Sequence, residues 1–215
     1  MKMVLMLNSF KAIENVASKA APGPNLTFME VHVLKAIELI EKMGQIGRVG
    51  LSKELNLGEG ATRTLIKHLV NEKIVKVSIL GCGLTDYGKK ISADIKSKFL
   101  GEINVPKNPI TVSANNIAVL ISGANKAVKM GLEQRDAAIK VGALGATTLI
   151  FSNNELTMPG TGENCFKSLS QIKDGLISGL NPKENDVIII GSGDDPWKAE
   201  LGAKAAMLET LKKVK

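Results

Sequence analysis

The sequence predicts an α+β chain of two domains: an N-terminal winged helix-turn-helix and a C-terminal α/β sandwich, for which a ferredoxin-like βαββαβ order is favoured. Three observations carry this. Helix-period segments joined by short turns fill residues 27–72; a β-branched alternating stretch, a glycine turn and another helix pattern follow; and beyond a Pro- and Asn-bearing stretch, strand and helix patterns alternate to the end. The expected division is an extension over residues 1–24, the winged helix over 25–103 and the second domain over 110–215.

Residues 1–20 read as a short helix, broken by AAPGPN (Ala20–Asn25) with its two prolines and glycine. Thr27 and Glu30 have capping-box spacing, and Phe28, Val31, Leu34, Ile37, Ile40 and Met43 recur every three residues, so an amphipathic helix is expected up to Gly44. A short second helix covers Arg48–Leu55. The turn NLGEG leads to a third helix ending near Glu72, with Leu65, Ile66, Leu69 and Val70 apolar and Gly58 and Gly60 tightening the turn. IVKVSI (Ile74–Ile79) alternates as a half-exposed strand does, GCG (Gly81–Gly83) turns the chain, and Thr85 caps a helix whose buried side is Ile91, Ile95 and Phe99.

GEINVPKNP (Gly101–Pro109) has linker composition. Strands are expected at Asn116–Ser122, Thr147–Phe151, Glu155–Met158 and Asp186–Ile190, with helices over Asn125–Val141, Glu163–Ile177 and from Pro196 onward. A small three-layer α/β domain would yield a similar string.

Composition narrows the function classes. No apolar run approaches the roughly 18 residues a membrane span requires, so no membrane partner is expected and the cytoplasm is the expected location. Cys82 and Cys165 are isolated and lack metal-ligand spacing, which leaves no metal site and no disulfide framework to predict. Aromatic content of 3% weighs against base-stacking single-strand or RNA binders, whereas duplex DNA needs no stacking platform. The net charge of +7 is concentrated in the front half, about +5 up to residue 105 and +2 beyond it, as a polyanion-binding N-terminal domain requires.

LGEGATRTLIKHL (Leu57–Leu69) is the richest stretch of the first half. A phosphate loop would need Lys followed by Ser or Thr after its last glycine, and a preceding strand; here Ala61 and Thr62 follow Gly60, after a helix pattern. Read as the turn and recognition helix of a helix-turn-helix, the stretch makes Thr62, Arg63, Thr64, Lys67 and His68 the DNA-binding candidates, with Lys73 and Lys76 beside the wing. Arg63 is suited to a guanine edge, while Thr62, Thr64 and Lys67 are suited to phosphates. The bland alternative is a solvated helix face, and His68 in particular suits a surface or hinge position. Lys89, Lys90, Lys96 and Lys98 either touch backbone phosphates or keep the surface soluble.

In the second half, IIIGSGDDPWKAELGAKAAM (Ile188–Met207) reads as a buried strand emptying into a glycine-rich loop, with Asp195 and Pro196 starting a helix. Gly191, Ser192, Gly193, Asp194 and Asp195 are the ligand-binding candidates, joined by Arg135 and Asp136 if strand order brings them near. The plain alternatives are a strand-to-helix turn capped by Asp195 and a surface pairing of Asp136 with Lys140. This half has no histidine and no nucleophile-base set, so no catalytic residue and no cofactor are predicted.

GRVGLSKELNLGEGATRTLIKHL, GCGLTDYGKK and GLEQRDAAIKVGALGATTLIF resemble an archaeal family of winged-helix proteins with a C-terminal domain of unknown function, from about Pro22 to the end. The LTDYG segment is also similar to the LTxxG opening of several winged-helix regulator families. The resemblance implies an archaeal, dimeric DNA-binding regulator and assigns no ligand. The resulting expectation is a homodimeric transcriptional regulator that binds duplex DNA and responds to an unidentified small-molecule effector. Two alternatives stand beside it: an enzyme acting on a nucleotide or phosphorylated metabolite, and a protein-binding winged-helix scaffold.

Overall fold

The computed structural model describes residues 2–18, 25–161, 165–166 and 169–214. The chain divides into two units, Met1–Lys96 and Ser97–Lys215. Part of the expected Ala20–Asn25 break lies outside the described residues.

In the first unit α1 (Lys2–Ala17) packs on α2 (Glu30–Met43), α4 (Glu59–Asn71) and α5 (Asp86–Lys96), burying Phe10, Ile13 and Val16. The N-terminal helix is therefore part of this unit's core. Helix α2 starts at Glu30, with the Met29 N–H donating to His32 Nδ1 at 3.1 Å, so Thr27 is not its cap. Val31, Leu34, Ile37 and Ile40 line its inner face, each fully buried aliphatic side chain contributing about 1.5–3 kcal/mol of transfer free energy. Burial holds the His32 imidazole below its ordinary pKa.

Helix α3 (Arg48–Glu54) and α4 form the helix-turn-helix, but its glycines do not make the turn. Asn56 takes the left-handed conformation (φ 48°), the Asn56 N–H bonds to the Lys53 carbonyl and the Leu57 N–H to that of Ser52. This is a Schellman motif with Asn in the usual glycine place. Leu55 is fully buried beside this turn and Leu57 is half-buried.

The hairpin of β1 (Val75–Ser78) and β2 (Gly81–Leu84) turns at Ile79–Leu80, not at the GCG stretch. Gly81 and Cys82 lie in the return strand because Cys82 bridges Ile46 through two backbone hydrogen bonds of 2.8 and 3.1 Å. At Gly81 (φ 119°) a Cβ would stand 2.6 Å from the Ile46 carbonyl oxygen, which leaves no room for a side chain. The LTDYG segment then locks the wing to the helices. Thr85 Oγ1 donates to the Lys73 carbonyl at 2.6 Å and accepts the Gly88 N–H at 3.0 Å, and a Cβ on Gly88 would lie 2.2 Å from the Ile74 carbonyl oxygen.

The second unit is a five-stranded antiparallel sheet in the order β3-β4-β7-β5-β6, made of β3 (Phe99–Asn104), β4 (Asn115–Ile121), β5 (Gly145–Ser152), β6 (Glu155–Thr157) and β7 (Val187–Gly193). The α+β class and the β-α-β-β-α-β order hold, but the strand order is not ferredoxin-like. Strands β4 and β5 form a split β-α-β unit whose gap is filled by the last strand, β7, while the third, β6, stands at the edge. The expected linker is also partly sheet, since β3 pairs with β4 through Asn104. Its half-buried alternation, without a long apolar run, disguises an edge strand.

Helix α7 (Ser170–Leu180) covers one sheet face, where Leu176 and Leu180 join Leu120, Leu149, Ile188 and Ile190. Helices α6 (Leu132–Lys140) and α8 (Pro196–Leu211) cover the other. The helix expected over Asn125–Val141 splits into a 3-10 turn (Asn125–Ala127) and α6, because Gly131 between them is left-handed at φ 77°. The helix expected from Glu163 starts at Ser170; residues 162–164 and 167–168 lie outside the described residues.

Candidate nucleic-acid interface

Helix α4 buries Leu65 and Leu69 and presents Gly60, Arg63, Lys67, Val70 and Asn71 to solvent, one stripe at three- and four-residue steps. A recognition helix reaches base edges through the exposed side chains of its first turns, and here Gly60 and Arg63 are exposed there. Arg63 and Lys67 are exposed and have no ion-pair partner among the described residues.

The remaining sequence candidates separate. Thr62 is fully buried, its Oγ1 donating to the Gly58 carbonyl at 3.1 Å, so it stabilises the first turn of α4 from inside. Thr64 is half-buried and donates to the Gly60 carbonyl at 3.1 Å. His68 turns toward α1: Nδ1 lies 2.8 Å from the Val16 carbonyl oxygen, and the ring meets Phe28 edge-on at 5.9 Å. Its position is that of a packing hinge between helices. Lys73 is exposed with φ 59° and forms the left-handed end of α4, where the Lys73 and Ile74 N–H groups bond to the Val70 and Leu69 carbonyls at 2.9 Å each. That turn aims the chain into the wing. Lys76 is exposed on β1, alternating to the opposite hairpin face from Val77. Lys89 and Lys96 are in ion pairs with Asp86 and Glu41. Burial alone would raise the Glu41 pKa, but hydrogen bonds from Lys96 and Ser92 hold it below the usual carboxylate value.

One further cation beside this face is not marked by any local sequence pattern. Arg48, at the first position of α3, lines with Arg63, Ile66 and the wing residues Val77–Cys82 an open cleft of about 380 Å³. Its guanidinium bonds Glu59 at 3.3 Å across an exposed gap, a pairing that salt and solvent weaken. The only available signal was a cation at a helix start 15 residues before Arg63, and that spacing has no local period. The wing tip is apolar, with Ile79 completely exposed and Leu80 and Val77 largely so. Burial pushes the Cys82 thiol pKa up at the floor of the cleft.

In the second unit the expected glycine-rich loop is strand. Gly191 and Gly193 lie in β7 under α8, where a Cβ would stand 2.4 Å from the Ala199 carbonyl oxygen or the Ala199 nitrogen respectively. The glycines are there so that helix and strand backbones can approach closely. Ser192 is buried and donates to Asn116 Oδ1 at 2.7 Å. Asp195 caps α8 by accepting the Lys198 N–H at 2.8 Å, with Pro196 at the first helical position, and Asp194 pairs with Lys198 Nζ at 2.9 Å. These contacts raise the Lys198 pKa, the Asp194 hydrogen bond being the larger cause. Arg135 and Asp136 bond to each other at 3.0 Å on the exposed side of α6.

Residues 30–99 match the family model described as the CggR N-terminal DNA binding domain, and residues 112–211 match a domain of unknown function, DUF4443. The chain joins a DNA-binding domain to a domain of unknown function. A solved structure of a hypothetical protein from Pyrococcus horikoshii OT3 is similar over 87% of this chain and 100% of that one, at 28% identity and a TM-score of 0.64. No curated protein matches the chain. The DNA-binding domain begins at the first residue of α2 and takes in both wing strands and α5, so every candidate on α4 and the wing falls inside it. No helix among the described residues is long and apolar enough to cross a membrane.

Proposed function

We propose that the protein is a homodimeric transcriptional regulator that sets α4 into the major groove of duplex DNA and responds to a small-molecule effector through its second domain. The observation that carries the DNA-binding part is the exposed Arg63–Lys67 face of α4, whose cations have no ion-pair partner among the described residues. Unpaired cations release counterions on meeting phosphate, which supplies most of non-specific affinity. Arg63, near the helix N-terminus, reads a base edge; Lys67, Lys73 and Lys76 grip phosphates, and Arg48 exchanges Glu59 for a phosphate oxygen. Effector response rests on the two-unit organisation, with Asp194 and Asp195 as its candidate contacts, and co-purified ligand identified by mass spectrometry is its direct test.

The DNA-binding test is affinity for duplex fragments of the source genome across a salt series. Arg63→Ala and Lys67→Ala are each expected to weaken binding about tenfold, and Lys67→Ala to lower the salt slope by about 1. Unchanged affinity in both variants would remove α4 from the interface. The apolar wing tip, Val77, Ile79 and Leu80, favours one second reading, a winged helix that docks on protein. Failure to bind any duplex in the library would support it.

A further inference from the structure

Helix α6 has its polarity reversed. Toward α8 and the sheet it turns Gln134 and Ala138, both wholly buried, while Leu132 and Ile139 are 51% and 48% exposed on the outside. A surface helix ordinarily does the opposite. Between the two exposed aliphatics, on the same face, stand Arg135 and Asp136. Val112 and Leu144, also exposed, continue the patch: Val112 and Arg135 flank the same point, 3.7 and 3.9 Å from where a Gly145 Cβ would lie.

The stripe Leu132, Arg135, Asp136, Ile139 is evenly spaced about its midpoint, with an aliphatic residue at each end and charges of opposite sign on the two sides. A twofold axis passing between Arg135 and Asp136 brings each residue opposite the one equally far on the other side. Leu132 then meets Ile139, and Arg135 meets Asp136, twice over. A twofold interface must be self-complementary in this way, apolar to apolar and cation to anion, whereas an unrelated partner places no such condition on the pattern.

We propose that α6 pairs antiparallel with α6 of a second copy of this chain, and that this contact is the dimer interface. The inference rests on the homodimer reading above and names where the copies meet. The Arg135–Asp136 contact within each chain becomes a four-charge cluster across the axis, flanked by the two aliphatic pairs.

The test is the mass of the full chain in solution, by sedimentation equilibrium without DNA. The wild type is expected at twice 22.9 kDa. Arg135→Asp places like charges opposite one another, as does Asp136→Arg, and each is expected to weaken the dimer about a hundredfold or more. Mixing the two reversed chains restores opposite charges at both contacts, so two monomeric variants should form a heterodimer, a result that misfolding does not produce. Should a reversal prevent folding, Leu132→Ser with Ile139→Ser tests the same face without touching the charges and should also give monomers. A monomeric wild type would overturn the proposal and leave the face to a different partner. So would a dimer unaffected by the substitutions, or reversed chains that stay apart when mixed. Loss of duplex binding by a chain that remains dimeric would count against the DNA-binding reading alone.

Discussion

Helices α4 and α8 each carry two cationic side chains, apart from His68, and the fold uses them in opposite ways. On α8, Lys198 pairs with Asp194, and the buried Lys204 pairs with Glu102 at 3.1 Å and Glu200 at 2.8 Å, with its ammonium 5.5 Å from the Phe99 ring centre. On α4, Arg63 and Lys67 are exposed and lack ion-pair partners among the described residues. Helix α8 is buried around most of its circumference and its charges are satisfied within the chain; α4 buries one face and offers the other outward. The charges of α8 are compensated within the chain, whereas those of α4 are left available to a polyanion.

Four substitutions sharpen that contrast. Gly191→Val forces a side chain into the backbone of α8 at 2.4 Å and is expected to destabilise the second unit by about 3 kcal/mol, seen as a shift of its unfolding transition to lower denaturant. The first unit's transition and its duplex binding should persist; loss of both together would mean that the units fold as one. Lys204→Ala strands Glu102 and Glu200 without their buried counter-charge and should lower stability by roughly 2 kcal/mol with no change in the salt slope of DNA binding. Lys67→Ala should do the reverse, and an equal effect of the two on binding would erase the distinction between the helices. The smallest effect belongs to Thr62→Val, which removes one buried hydrogen bond at nearly constant volume. It should cost about 1 kcal/mol by chemical denaturation and leave duplex affinity unchanged.

Much of the DNA-binding domain was legible because its signals are local. The apolar period of α2, the short α3, the amphipathic α4 and the Thr85 cap each lie within one or two turns of chain, and each appears within a few residues of where it was expected. Misreadings there concern which residue performs a local task. Asn56 instead of Gly58 makes the turn, and the wing reverses at Ile79–Leu80 because Gly81 and Cys82 are needed beside Ile46, more than 30 positions away. Residue type suggests a surface position for Thr62, yet helical phase puts it on the buried side of α4 with Leu65 and Leu69. The second unit was less legible because its strand order is non-local: nothing in β6 or β7 states which of them fills the gap between β4 and β5.

Sequence by itself therefore determined a basic winged helix followed by alternating strands and helices, with Arg63 and Lys67 on its third helix, since helical period, capping and turn chemistry act over a few residues. Only the tertiary structure decided that the GSG stretch is a strand pressed against α8, that Arg48 shares a cleft with Arg63, and that α6 turns its aliphatic side chains outward. Those facts depend on which distant backbone passes within a few ångströms of a residue, and chain order does not encode that distance in any local pattern.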